Sequence, residues 1–372
     1  MPIAEQTITP CLLVGEGTTK KELAGSLLEV EVEEHHELAS VFRIRMAIVR
    51  EEDGLWTFLD QDSAKPWTKL QIKMNVGDRE EDLITGYVTQ IRVHIDPAEG
   101  NSYLELVGMD TSCLMSAEEV IKDWPEKSDS DIAIAIFDKY KLDYAVETVD
   151  IIHTEKMSTI IQRESDIQFL KRLARRNGCE CVIVGKTGYF AKPNLTKTPL
   201  PALAAHFGKE TNLTSFDATW NALRPTTVEC RQIDAAEKQV QVVTLERSAQ
   251  KLLGKDAAEP PPHPEKKPPR TFVRHHVTTG TQETTRLVDA IGDEAQWFIE
   301  ARGEVDSVEY GDILHARRTV PVKGVGELLS GLYYLTSVKH LYKVDRYTQT
   351  FTARRNATTG NLADFGPKPS PF

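Results

Sequence analysis

The chain has 372 residues, 40% of them hydrophobic, and a formal net charge of -11 at pH 7. That hydrophobic content excludes a chain disordered over most of its length, and the length predicts roughly two to four domains. The acidic balance argues against specific nucleic-acid binding, which requires clustered Lys and Arg.

Neither a membrane anchor nor a signal peptide is expected. No apolar run reaches the roughly 18 residues of a membrane span, and residues 1–10 lack a basic region followed by an apolar one. We therefore expect a protein made in the cytoplasm.

The cysteines are scattered and odd in number, which favours free buried thiols over a disulfide framework. They are Cys11, Cys113, Cys179, Cys181 and Cys230. Cys179 and Cys181 lack a second Cys/His pair at zinc-site spacing, so two strand residues facing the same side are expected and no metal site.

The first part of the chain carries β patterning. Residues 27–49 alternate apolar and charged side chains, and further alternating runs cover residues 70–76, 83–95 and 103–109, with turn-forming residues between them. Residues 1–112 are therefore predicted to form a small antiparallel β barrel or sandwich.

One predicted strand has an acidic face. Glu29, Glu31 and Glu33 alternate with Val30 and Val32, so the three carboxylates share one face and the valines pack inward. If the strand lines a channel, this face would repel anionic cargo. The alternative is an ordinary solvated outer face, and both interpretations stay open at this point.

The pattern becomes helical in residues 131–142, after the capping-type cluster Ser128-Asp129-Ser130. A second helix is predicted between an N-cap at Ser165 and a left-handed C-cap at Gly178. A short hairpin over residues 181–190 follows. Residues 113–200 are thus predicted to form an α+β insertion domain.

The second helix also has a basic face, formed by Lys171, Arg172, Arg175 and Arg176. It either contacts an acidic neighbour or is solvated, and the solvated face is the simpler interpretation.

In the last part of the chain, strands are predicted at residues 226–230 and 240–245. Residues 254–270 carry six prolines and are predicted to be a linker or exposed loop. An amphipathic helix over residues 283–302 and strands at residues 313–322, 331–342 and 347–353 complete the chain.

A faint repeat connects the two ends of the molecule. Thr85-Gly86-Tyr87-Val88 is similar to Ser330-Gly331-Leu332-Tyr333, and each is followed by a turn and another alternating strand. Chance is one explanation of so short a match, and a second barrel of the same type is the other.

The predicted fold class is mainly β with an α+β insertion: two tube-like antiparallel β barrels per chain plus helix-containing insertions. The predicted divisions are a first barrel (1–112), the insertion (113–200), the first part of the second barrel (201–250), a Pro-rich linker and helix (251–302), the remainder of the second barrel (303–357) and a C-terminal tail (358–372).

Catalytic and ligand motifs are incomplete. Gly185-Lys186-Thr187 lacks the earlier glycine of a phosphate loop, because Glu180 stands there, and His36-Glu37 lacks the second histidine of a zinc-peptidase motif, because Ser40 stands there. No catalytic residue, cofactor or metal site is predicted.

Several sequence motifs resemble those of the phage late control D family and occur in the same order along the chain. The strongest stretch is residues 130–190, and it is accompanied by residues 86–88, 108–110, 212–216, 331–340 and 347–351. The resemblance spans roughly residues 10–357. Its motif residues, for which a structural role is expected, are Gly86, Asp110, Ser165, Phe169, Leu170, Leu173, Gly178, Gly331 and His340.

This resemblance implies a baseplate hub of a contractile phage tail or tail-like injection system, the part that also forms the hub of type VI secretion spike proteins. Two barrels per subunit in a homotrimer would adapt a six-fold tail tube to a three-fold spike. The implied partners are the tube protein, the spike and other baseplate proteins. Because no glycine-rich β-helical repeat or lysozyme-like insertion precedes Phe372, a separate spike and a separate wall-cutting partner are expected.

Two other function classes stay open from the sequence. One is a peptidoglycan-cutting tail hydrolase that uses an acidic residue, although no motif for it is found. The other is a carbohydrate-binding β protein at the tail tip. Because no catalytic motif is found and the family resemblance implies a structural hub, we expect a non-enzymatic component of an assembled particle.

Overall fold

The structure is a computed structural model that describes residues 8–14, 21–22, 26–59, 65–98, 100–154, 160–233, 238–259, 269–274, 276, 278–344 and 346–360. It is mainly β with helical insertions, as predicted. The N-terminal strands are β1 (Ile8–Val14), β2 (Lys21–Glu22), β3 (Leu27–His35), β4 (Val41–Ala47), β5 (Lys69–Val76), β6 (Arg79–His94) and β7 (Tyr103–Asp110).

The insertion contains α1 (Ser112–Met115), β8 (Glu119–Trp124), β9 (Lys127–Ser128), α2 (Asp129–Lys139), β10 (Asp143–Val146), β11 (Ile152–His153), β12 (Ile160–Ser165), α3 (Asp166–Asn177), β13 (Glu180–Val184) and β14 (Thr187–Ala191). It is followed by β15 (Leu203–Ala204), a 3-10 turn at Gly208–Glu210, β16 (Leu213–Trp220), β17 (Thr227–Ile233), β18 (Val240–Leu245), β19 (Asp256–Ala257) and β20 (Arg270–Val273). The last part contains α4 (Thr281–Ala295), β21 (Ile299–Asp306), α5 (Ser307–Tyr310), β22 (Thr319–Lys323), β23 (Gly331–Lys343), β24 (Arg346–Arg355) and β25 (Ala357–Thr358).

A single large curled sheet runs through the molecule in the order β16-β21-β24-β23-β3-β4-β7-β6-β5-β1-β2, with β22 attached to β23 and β15 to β22. Neighbours along this path are antiparallel. The contact between β3 and β23 joins strands that are about 300 residues apart in the chain.

Each half of this sheet covers its own core. The N-terminal half buries Val30 and Val32 as predicted, together with Phe42 and Ile44. The C-terminal half buries a second cluster, which includes Ile299, Tyr333, Leu335, Val338 and Phe351. Alternation along the strands therefore places one face of the sheet inward and leaves the other polar.

The insertion has a third core, in which Phe137 of α2 packs with Phe169, Leu170 and Leu173 of α3. The helix predicted from residue 131 begins at Asp129, because Ser128 and Asp131 form a capping box. It ends at Lys139 rather than at residue 142.

Helix α3 has the predicted limits. Gly178 adopts the left-handed conformation, with φ 67°, that ends a helix. Ser165 occupies the N-cap position, but its side chain makes no capping hydrogen bond, and its buried Oγ has no hydrogen-bond partner among the described residues. The predicted side-chain cap at Ser165 is therefore wrong.

Two predictions in the C-terminal part need correction. The helix predicted over residues 283–302 ends at Ala295, because the residues from Ile299 onward alternate and pair with both β16 and β24. The segment predicted as a linker is packed at its start: Ala258 is fully buried, and β19 pairs with β25. Residues 260–268 of that segment lie outside the described residues.

Candidate assembly surface

The outward face of the sheet centre carries charges of both signs, including the predicted acidic residues of β3. Arg43 Nη2 donates to Glu31 Oε2 over 2.7 Å, and Lys339 Nζ lies 3.0 Å from the same oxygen. Partial burial alone would raise the pKa of Glu31, but the hydrogen bonds from Lys339 and Arg43 outweigh it and lower this pKa. Glu31 thus lies between cations from the strands on either side, Arg43 of β4 and Lys339 of β23, and we call this row of alternating charges the ion ladder.

Glu29 belongs to the same ladder, since its carboxylate lies 3.5 Å from Arg43 and 3.5 Å from Lys343. Glu33 lies on that face too, between Val41 and Lys339 in the strand register. The three carboxylates are half-buried rather than exposed, which corrects the exposure expected from the sequence. Whether they line a channel stays a prediction.

The junction between β3 and β23 also contains a polar cluster on Glu34. Its carboxylate lies 2.9 Å from His315 Nδ1 and 3.7 Å from His340 Nε2. Burial alone would raise the pKa of Glu34, but the charges and hydrogen bonds of the two histidines lower it to about 2. His340 Nδ1 lies 2.7 Å from the Tyr347 hydroxyl. The cluster thus ties the two halves of the sheet together.

The sheet contains two four-stranded units of the same design, separated by this junction. The first unit is β3-β4-β7-β6, and the second unit is β16-β21-β24-β23. In β3 the register shifts between Leu27 and Glu29, and in β16 it shifts between Leu213 and Ser215. When the two bulges are aligned, Leu27 corresponds to Leu213. Four residues further along each strand, Glu31 therefore corresponds to Asp217.

The other edge of each unit carries a matching bulge. The register shifts between Val88 and Gln90 in β6, and between Leu335 and Ser337 in β23. When these two bulges are aligned, Val88 corresponds to Leu335, and four residues further on Arg92 corresponds to Lys339. The two units therefore repeat the same strand arrangement. The sequence match does not follow this repeat, because the aligned bulges do not bring Gly86 to the position of Gly331.

The structure distributes the family-motif residues over several cores instead of gathering them in one site. Asp110 is buried and accepts hydrogen bonds from the backbone N–H groups of Ser40 and Ser112, and burial raises its pKa. A side chain on Gly86 would collide with the backbone of Met109, since an added Cβ would lie 2.0 Å from its carbonyl oxygen. These contacts support a structural role for the motif.

The basic face of α3 is not simply solvated. Arg172 Nε donates to Glu164 over 2.6 Å, and Arg176 pairs with the buried Asp129 and with Glu283 of α4. A groove of about 850 Å³ lies between α3 and α4, and Lys171 and the arginines line it. Arg172 and Arg176 therefore find acidic neighbours within this chain.

The prediction that the cysteines are buried is confirmed, but Cys179 lies just before β13 (Glu180–Val184), so of the two predicted strand residues Cys181 alone is in the strand. All five thiols are buried, and Cys113, Cys179, Cys181 and Cys230 are free, as predicted. Burial raises the pKa of Cys179 and of Cys181 to about 12. Both lie in the core of the insertion. Among the described residues, no group of three or more His, Cys, Asp or Glu side chains is arranged to hold a metal ion.

In the described part of the chain, no helix has the length and apolarity needed to cross a membrane.

Comparison with solved structures finds the same fold in tail proteins. A 43 kDa tail protein of prophage MuSo2 from Shewanella oneidensis matches with a TM-score of 0.65 and 14% identity, over 94% of this chain and 98% of that one. A tail protein from Neisseria meningitidis MC58 matches with a TM-score of 0.62 and 12% identity, over 93% and 96% of the two chains.

A third match is an Escherichia coli component of the type VI secretion system, described as structurally similar to the bacteriophage T4 tail proteins gp27 and gp5. Its TM-score is 0.55 with 11% identity, over 96% of this chain and 79% of that one. Identities this low establish the fold alone.

Comparison with curated proteins finds no match. The family model described as the Alg8 N-terminal domain matches residues 6–343, which is well over half of the chain. The chain therefore belongs to the family of the Alg8 N-terminal domain.

Proposed function

We propose that this protein is a structural baseplate hub of a contractile phage tail or phage-tail-like injection system. In this role it forms a homotrimer that joins a six-fold tail tube to a three-fold spike. The tube protein, a separate spike protein and other baseplate proteins are its partners. The assembled particle is its site of action, and it uses neither a catalytic centre nor a cofactor.

The observation that carries this proposal is the presence of two equivalent four-stranded units in one chain, with bulges at matching positions. Three such chains present six similar units, which is the number that a six-fold tube requires. The fold likeness to tail proteins and the sequence resemblance to the late control D family support the same role.

In this proposal the tube-like barrels are residues 1–112 and residues 201–250 with 303–357, and residues 113–200 are an insertion that docks on them. The insertion is tied to the second unit by buried contacts: Tyr334 of β23 donates to Glu180 of β13 over 2.7 Å. Such a link would hold the insertion at a fixed position on the outside of a ring.

Native mass spectrometry of the purified protein, alone and mixed with the tube and spike proteins of the same particle, tests the adaptor. A three-chain species is expected in at least the spike mixture. A stable dimer or a six-chain ring would contradict the proposal.

The non-enzymatic part is tested separately by incubating the protein with purified peptidoglycan. No soluble fragments are expected. Release of fragments that persists in a repurified sample would show that the hydrolase alternative is correct.

A further inference from the structure

The junction between the two units inside one chain shows how one unit can follow another. Strand β23, at the end of the second unit, pairs antiparallel with β3, at the start of the first unit. Across this junction Lys339 lies opposite Glu33 and forms a diagonal ion pair with Glu31, with Nζ 3.0 Å from Oε2. Val30 and Val32 close the core on the other face.

Each chain leaves the corresponding two edges open in the part that the structure describes. Strand β16 pairs with β21 alone. Among the described residues, the distal half of β6 beyond Val88 pairs with β7 alone, because β5 pairs no further than Tyr87 and the backbone of Trp67 and Thr68 bonds to β6 at Val88 and no further along it. Open strand edges are templates for pairing with another chain.

The strand directions allow these edges to meet. Every neighbouring pair from β16 to β6 is antiparallel, and the path β16-β21-β24-β23-β3-β4-β7-β6 has an even number of strands. Strand β6 therefore runs opposite to β16. A second copy can add its β16 to β6 and continue the same antiparallel sheet.

We propose that the distal half of β6 pairs with β16 of a second copy of this chain, in the register that β23 and β3 use within one chain. The bulge correspondences give this register: Arg92 lies opposite Thr219, Val93 opposite Ala218, and His94 opposite Asp217. This inference rests on the proposed trimer and names the strands and residues that build it.

The chemistry of the two edges matches that of the internal junction. Arg92 corresponds to Lys339 and Asp217 to Glu31, so the diagonal ion pair is reproduced with the same signs. The Arg92 side chain is 60% exposed, and among the described residues of its own chain it bonds to Glu105 and Gln90 alone. It therefore has room to approach Asp217 of a second copy.

The other face of the proposed junction is apolar on both edges. Val93 and Ile95 are 43% and 49% exposed in the single chain, and the register places them against Ala218 and Phe216 of the second copy. In the internal junction, the equivalent positions of β3 are Val32 and Val30, which are buried. Pairing would thus remove from water two large side chains that a lone chain exposes.

The contact joins different surfaces of the two copies, so each chain carries both a donor edge and an acceptor edge. Head-to-tail contacts of this type close into a ring when a whole number of equal rotations between copies makes one full turn. The ring would alternate internal and external junctions of the same design.

Disulfide trapping tests the register. Chains carrying Val93→Cys are mixed with chains carrying Ala218→Cys and oxidised, and the hetero-disulfide is measured by mass spectrometry and peptide mapping. Directly opposed strand residues have Cα atoms about 4.5–5.5 Å apart, within the range of a disulfide. The matched control combines Arg92→Cys with Ala218→Cys, since these side chains point to opposite faces of the sheet.

We expect the Val93/Ala218 mixture to cross-link and the Arg92/Ala218 mixture to stay reduced. Equal cross-linking of both, or of neither, would overturn the register. A trimer by native mass spectrometry without the Val93/Ala218 cross-link would reject this junction and leave the hub proposal standing. A cross-linked ring with another number of chains would keep the junction and reject the trimer.

A charge exchange provides a second measurement. Arg92→Asp is expected to weaken self-association about fivefold, and Arg92→Asp combined with Asp217→Arg is expected to restore it. The control Lys122→Asp alters an exposed lysine outside both edges and should leave association unchanged. Failure of the double variant to improve on Arg92→Asp would contradict the proposed pairing.

Discussion

The hydroxyl of Tyr334 donates a hydrogen bond to the buried carboxylate of Glu180 over 2.7 Å, and Arg317 Nε donates to the same carboxylate over 2.9 Å. The contact joins β13 of the insertion to β23 of the large sheet. Burial raises the pKa of Glu180, and the charge of Arg317 opposes this effect. Because this buried carboxylate forms an ion pair with Arg317, the stability of the chain should be sensitive to that residue.

Replacing Arg317 with Met should therefore lower the free energy of unfolding by about 3 kcal/mol, because it leaves a buried charge without compensation. Urea denaturation would measure the change. The double variant Arg317→Met/Glu180→Gln should regain part of the loss, since the uncompensated charge is gone. Equal stability of the single and double variants would show that the ion pair is not the cause.

Reversing the charge of Glu31 should also destabilise the fold. A lysine at this position would face Arg43 and Lys339, which now pair with the carboxylate. We expect Glu31→Lys to lower the free energy of unfolding by about 1–2 kcal/mol. Glu52→Lys, in an exposed turn, is the control, and an equal effect of the two substitutions would contradict the ion ladder.

Alanine substitutions at the N-cap positions of α2 and α3 should change the stability of the protein by different amounts. Ser128 accepts a hydrogen bond from the Asp131 backbone N–H over 3.1 Å, whereas the Ser165 side chain makes no capping bond. Ser128→Ala is therefore expected to cost about 1 kcal/mol, and Ser165→Ala close to zero. Thermal unfolding monitored by circular dichroism would compare them, and a larger loss for Ser165→Ala would contradict the cap assignment.

Leu170→Asp should prevent stable folding of the insertion, because Leu170 is fully buried on α3 and an unpaired carboxylate there is costly. Loss of soluble protein or a large fall in the unfolding midpoint is expected. Gln168→Asp places the same charge on the exposed side of the helix and should be tolerated. Unchanged melting of the Leu170→Asp protein would show that the apolar face is assigned wrongly.

Stability should depend on pH through His315. Burial alone would lower the pKa of His315, but the charge of Glu34 and the hydrogen bond to it raise this pKa above 6.5. A raised histidine pKa stabilises the fold below the unfolded value of 6.5, and this contribution is lost as pH rises through the folded value. Glu34 adds stability above its unfolded pKa of 4.5, which is lost as pH falls to about 2.

The difference in unfolding free energy between the wild type and His315→Gln should therefore be largest near pH 5.5 and shrink by about 1 kcal/mol toward pH 8. Histidines present in both proteins contribute to both unfolding free energies, and their contributions cancel in the difference. His340 and Tyr347 also face Glu34 and are present in both proteins. His276→Gln, at an exposed position, is the control. A difference that does not change with pH would contradict the Glu34–His315 pair.

The amino-acid sequence by itself determined the local structure. The alternation of Val30 and Val32 with glutamates fixed a strand and its inward face, and the Ser128 cluster and Gly178 marked helix ends, because each signal depends on residues within one or two turns of each other. The sequence patterns also indicated the mainly β class.

Only the tertiary structure decided how distant segments pair. The cations beside Glu31 come from β4 and from β23, the latter about 300 residues away, so an acidic face in the sequence became a mixed-charge ladder. Likewise, α4 stops at Ala295 because the following residues gain two strand partners. Such choices depend on which remote strand supplies hydrogen bonds and counter-charges, and no local pattern carries that information.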